Sequence, residues 1–172
     1  MLKLRSKSCH SQPAKWSGSG FSLIELLIVV AIILIIVAIA IPSMLRARMA
    51  ANQADAVENC RTITSAEAIY YTTYSVGFAP SLGSLSGDPT SAPSATDAQL
   101  IDQVLATGTK NGYQFTYAAL SPDPTGAPQD YSLNADPTTP NVTGINHYFT
   151  DEPSVIHVST TGQASVNDPP IE

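Results

Sequence analysis

The chain has 172 residues, enough for one domain with an added segment or tail rather than for two full domains. Lys3, Arg5, Lys7 and Lys15 fall within the first twenty positions, and all 14 acidic residues lie at Glu25 or later. The product that starts after Gly20 is strongly acidic, which excludes the clustered Lys and Arg footprint of specific nucleic-acid binding.

In chain order, the basic leader is followed from Phe21 to Ile41 by about twenty almost unbroken apolar residues, long enough at about 1.5 Å each to span a hydrocarbon core of roughly 30 Å. The small residues Ser17, Gly18, Ser19 and Gly20 come before this run rather than after it, so cleavage there keeps the apolar segment in the product, unlike cleavage of a secretory signal. The positive leader is expected on the cytoplasmic side, with everything after Ile41 across the membrane. From Phe21 to Tyr74 there is no glycine and one proline, Pro42, which predicts a single helix of roughly 80 Å. Its first half is apolar all round. In its second half Leu45, Met49, Ala56, Cys60, Ile63, Tyr70 and Tyr74 recur at helical spacing as a seam that Glu67 interrupts. Pro42 is expected to kink or loosen the helix.

Beyond Tyr74, Ser75–Ala95 reads as a solvated loop rich in Ser, Pro and Gly. Asp97–Thr107 predicts a short helix with Leu100, Ile101, Val104 and Leu105 on one face and Gly108 as its stop. Asn111-Gly112 marks a turn, and Tyr113, Phe115 and Tyr117 alternate as strand residues. A Pro-rich loop over Ser121–Pro128 leads to a strand around Tyr131 and Leu133. Ile145–Thr150 and Val155–Ser159 then predict a hairpin about Asp151–Ser154. The tail, Asn167–Glu172, reads as disordered or draped. Residues 75–172 thus form a small antiparallel sheet that buries one face against the back half of the long helix (residues 42–74), an α+β class.

Chemistry-bearing constellations are sparse. The sequence has no Walker loop, HExxH, paired CxxC, GxSxG or EF-hand spacing, which leaves no candidate catalytic residue or cofactor site and no metal site of recognised spacing. His147 and His157 sit on the two hairpin strands and lack a clear third ligand. Asp130, Asn134, Asp136, Asp151 and Glu152 are oxygen donors for calcium at irregular spacing. Asn141-Val142-Thr143 matches the N-glycosylation pattern. Cys60, with Cys9 confined to the leader, reads as a small apolar residue on a buried helix face.

One ionisable residue remains, Glu25, four places into the apolar run. A carboxylate there costs a few kcal/mol at least and requires a partner. The ordered segment Gly18-Ser19-Gly20-Phe21-Ser22-Leu23-Ile24-Glu25-Leu26-Leu27-Ile28-Val29-Val30 resembles the processing and assembly signal of the type IV pilin family, which includes the pseudopilins of type II secretion. The resemblance implies a pilin-like fold. It also implies cleavage between Gly20 and Phe21 by a membrane-embedded prepilin peptidase, so that residues 1–20 are removed, and N-methylation of the new amino group on Phe21. The product is then a single-pass inner-membrane precursor with its head in the periplasm, drawn by assembly machinery into a helical filament of identical or related subunits. Glu25, one helical turn from the new cation, is positioned to neutralise the amine of its own chain or of a neighbour, and pairing with a neighbour fixes axial register. Two features depart from the family: the apolar helix carries no midway glycine where the backbone can melt, and the carboxy-terminal region lacks the two cysteines that close a loop in many type IVa pilins. The reading is a non-catalytic filament subunit. Its rivals are a type II secretion pseudopilin and, from another class, a membrane-anchored periplasmic binding domain that keeps its leader.

Overall fold

The computed structural model describes residues 20–171; the leader expected over residues 1–20, Gly20 excepted, and Cys9 lie outside them. The chain divides after Ala40 into two units, each taken by itself. Helix α1, Leu23–Tyr74, begins two residues later than predicted and ends where predicted. Ser22 directly precedes it, and the Ser22 carbonyl accepts the first intrahelical bond from the Leu26 amide at 3.2 Å. The helix runs through Pro42, whose ring removes the amide that would otherwise bond the carbonyl of Ala38.

In the second unit, α1 buries Ala56, Cys60, Ile63 and Tyr70, the central members of the predicted seam. Met49 and Tyr74 at its ends are half-buried, and Leu45 is exposed. Glu67 does not interrupt the stripe but belongs to it, fully buried between Ile63 and Tyr70.

The stripe faces a five-stranded antiparallel meander of order β1-β2-β3-β4-β5: β1 Thr109–Lys110, β2 Tyr113–Pro122, β3 Pro128–Pro137, β4 His147–Asp151 and β5 His157–Ser159. Side chains alternate across a strand. The inward rows therefore pair Phe115 with Ala135, Tyr117 with Leu133, Leu133 with Thr150 and Ala135 with Tyr148. Asn111 and Gly112 take left-handed φ of 49° and 76°, the two-residue turn that suits strand twist between β1 and β2. The predicted hairpin at Asp151–Ser154 forms, closed by the Ser154 amide on the Asp151 carbonyl at 2.8 Å.

Three expectations need correction. The stretch Ser75–Ala95 is not simply a solvated loop, because Ala79, Leu82 and Leu85 are buried core residues and Leu82–Leu85 forms a short helix, α2. Gly77 carries the chain into it with φ 85° and with its Cα so close to the Pro128 carbonyl that a Cβ would stand 2.1 Å from that oxygen. The helix predicted over Asp97–Thr107 shrinks to α3, Gln103–Ala106, because the Asp102 side chain caps it by accepting the Leu105 amide at 2.9 Å. Leu100 and Ile101 lie outside α3, and their amides bond the Leu85 carbonyl at 2.7 and 3.1 Å. The predicted stop at Gly108 holds, with φ 78°. The tail is tied down rather than disordered: Val158 donates to Pro169 at 2.9 Å and Ile171 to Ile156 at 2.8 Å.

Candidate functional site

The amino-terminal segment is built by a helix start. In an S-x-x-E pattern the third helical residue reaches back to the residue before the helix. Glu25 does so here, its Oε2 accepting the Ser22 amide at 3.0 Å. Its charge also sits in the first turn of α1, where unpaired amides give the helix a partial positive end. Ser22 is the residue that the functional reading overlooks, although the spacing Ser22-x-x-Glu25 carries the signal.

Just before this cap, Gly20 has open space where a Cβ would stand, and Phe21 is 85 % exposed. The Gly20–Phe21 peptide bond, the expected cleavage point, is free of packing among the described residues. From Leu23 to Leu45 every large apolar side chain of α1 is exposed, Ile28, Leu34 and Ile41 among them. The apolar part of α1 is long and apolar enough to cross a membrane, and none of it is buried among the described residues. Exposed apolar surface of this extent, far beyond the few hundred Å² usual on a soluble monomer, requires lipid or other helices around it.

The other sequence candidates are separated by the sheet. His147 and His157 do not oppose one another: His157 stands opposite Phe149 and His147 opposite Ser159. His147 Nδ1 meets Asp136 Oδ1 at 2.6 Å, and His157 Nδ1 meets the Asp168 carbonyl at 2.6 Å. Asn134 donates to the Ala164 carbonyl at 3.0 Å, and Asp130 accepts the Tyr131 amide at 2.7 Å, so Asp130, Asn134 and Asp136 meet separate partners. No group of three His, Cys, Asp or Glu side chains gathers for a metal among the described residues. Asn141 is exposed, with Thr143 Oγ1 bonded to the Thr139 carbonyl at 3.1 Å. Cys60 is a free, buried thiol whose pKa burial pushes up to about 12.

The family model described as "Prokaryotic N-terminal methylation motif" matches residues 18–41, the stretch that holds Gly20, Phe21, Glu25 and the exposed half of α1. No curated protein and no solved structure matches the chain at a significant level. The motif implies processing by prepilin peptidase and assembly with pilin subunits, and with the apolar helix it suggests membrane insertion as a prepilin. The pilin family is structural and non-enzymatic. On an α+β, pilin-like arrangement, the chain thus carries the methylation motif typical of type IV pilins and type II secretion pseudopilins.

Proposed function

We propose that this chain is a structural subunit of a type IV pilus-like filament, cut between Gly20 and Phe21, methylated on Phe21, and polymerised through α1 with Glu25 facing the Phe21 amine of a neighbour. The observation that carries the reading is one carboxylate in the first turn of a helix whose apolar first half is covered by nothing among the described residues. In a filament that surface exchanges lipid for neighbouring helices. The exchange gives little net hydrophobic gain, since lipid tails are about as apolar as Leu. Register then falls to a directional contact, and Glu25 is the one ionisable group among residues 21–41. In the single chain its local partner is the Ser22 amide. Assembly replaces a neutral donor by a cation, which adds the attraction of opposite full charges to a hydrogen bond that the carboxylate already makes. Pro42 lies just past the apolar run, where we assign it the role of a helix kink at the membrane exit.

Expression with a pilus assembly system, followed by shearing and electron microscopy of the released fraction, tests the proposal. Surface filaments containing this chain are expected. Short filaments confined to the periplasm, with secretion lost on deletion, place it with the pseudopilins. Full-length chain retained in the membrane, with no filament, overturns the proposal in favour of an anchored binding domain.

A further inference from the structure

Glu67 lies at the centre of the α1 stripe that packs on the sheet, 0 % exposed. Its Oε2 accepts the Ala79 amide at 2.9 Å. The Tyr117 hydroxyl donates to the Ala79 carbonyl at 2.7 Å, the same residue whose amide holds Oε2. Oε1 is buried without a partner. Among the described residues no Lys, Arg or His forms an ion pair with Glu67. The titratable groups facing it are tyrosines: Tyr70 on α1, Tyr117 on β2 and Tyr131 on β3. Neither the segment around Ala79 nor α2 carries a titratable side chain.

The protonation state follows from counting protons. The Ala79 amide satisfies Oε2, the single O–H of Tyr117 is committed to the Ala79 carbonyl, and Oε1 is left with no donor. A buried carboxylate oxygen with no donor keeps its charge unsolvated, and protonation removes that charge. A buried carboxylate with neither cation nor full hydrogen bonding is also strongly disfavoured.

We propose that Glu67 is a neutral carboxylic acid in the folded head and acts as a pH-sensitive latch. The Ala79 amide donates to Oε2 and the Tyr117 hydroxyl donates to the Ala79 carbonyl, so α1, the Ala79 segment and β2 are tied together around an uncharged acid. Loss of the Glu67 proton leaves a buried charge with one hydrogen bond and no cation, and frees the segment from Phe78 to Leu85 from α1 and β2. That segment carries Ala79, Leu82 and Leu85 into the core, so its release exposes apolar surface.

Burial raises the Glu67 pKa, more than the Ala79 and Tyr117 hydrogen bonds lower it. Because the folded value stands above the unfolded one, the stabilisation is complete below the ordinary glutamate pKa of about 4.3 and is lost as pH rises towards the folded value. The test is denaturant unfolding of the full chain in detergent from pH 4 to 9, followed by tyrosine near-ultraviolet circular dichroism, for the wild type and Glu67→Gln. Gln donates and accepts where the neutral acid does but does not titrate. Relative to Glu67→Gln, the folded-to-unfolded ratio of the wild type is expected to fall about tenfold per pH unit between the unfolded and folded pKa values. A ratio independent of pH overturns the latch. A second reading needs no variant: carboxyl-labelled glutamate in the wild type is expected to give one NMR resonance titrating well above the others. A spectrum in which every glutamate titrates at its ordinary value also overturns the latch.

Discussion

Glu25→Gln separates two roles that Glu25→Ala would merge. Glu25 Oε2 accepts the Ser22 amide at 3.0 Å, and a glutamine at that position keeps an acceptor in the same place. The helix start is therefore expected to change by no more than about 0.5 kcal/mol, small against the roughly 1 kcal/mol of a whole cap. The charge is what glutamine removes. In a filament core the Phe21 ammonium of the neighbouring subunit would then be left unpaired, and breaking a buried ion pair from one side costs about 3–5 kcal/mol. At about 1.4 kcal/mol per factor of ten, the equilibrium constant for adding one subunit drops roughly 10²- to 10⁴-fold. The assay has two stages: cleavage by prepilin peptidase, followed by mass, and then filament yield, followed by sedimentation and electron microscopy. Glu25→Gln is expected to be helical and cut at the wild-type rate, yet to give no filaments. Wild-type filament yield from Glu25→Gln alongside failure of Glu25→Ala would refute the reasoning and leave Glu25 as a helix-capping residue.

Two further outcomes follow from the head. Cys60 is completely buried and its thiol pKa is pushed up to about 12, so alkylation of Cys60 at pH 8 is expected only after denaturation; rapid modification of the native chain would contradict that packing. Asp102 caps α3 through the Leu105 amide and accepts Lys110 Nζ at 2.7 Å, so Asp102→Ala should destabilise the head by about 1 kcal/mol in chemical denaturation and Asp102→Asn, which keeps the cap, by less. The Lys110 hydrogen bond, first among the causes, holds the Asp102 pKa below its ordinary value. The stability difference between the wild type and Asp102→Asn is accordingly expected above the unfolded aspartate pKa of about 3.9 and to vanish as pH falls through the folded value.

Much of this fold is legible because the signals are local. The lack of glycine between Phe21 and Tyr74 predicts α1, and the three- and four-residue steps among Ala56, Cys60, Ile63 and Tyr70 pick out its buried face. Strand alternation at Tyr113, Phe115 and Tyr117, with Asn111-Gly112 as the turn, predicts the first hairpin of the sheet. The failures share one cause, which is that tertiary burial does not follow local composition. Leu100 and Ile101 are apolar at helical spacing because they pack near Leu85, while Gln99 at φ 56° and the Asp102 cap keep them out of α3. Ser75–Ala95 is polar on average, yet Ala79, Leu82 and Leu85 supply core. Glu67 looks like a break in an apolar stripe only if it is counted as charged; a neutral acid bonded to a backbone amide fits the stripe. At the amino terminus, Gly20, Phe21 and Glu25 are legible as an ordered set. The Ser22–Glu25 cap shows that the carboxylate already has a partner in the single chain.

The central claim is that proteolysis at Gly20 creates the cation that Glu25 needs. Mass spectrometry of the amino-terminal peptide, from chain purified out of filaments, tests it most directly. The expected peptide begins at Phe21 and carries one added methyl group on its amine. A filament-derived chain that still begins ahead of Gly20 would contradict the account.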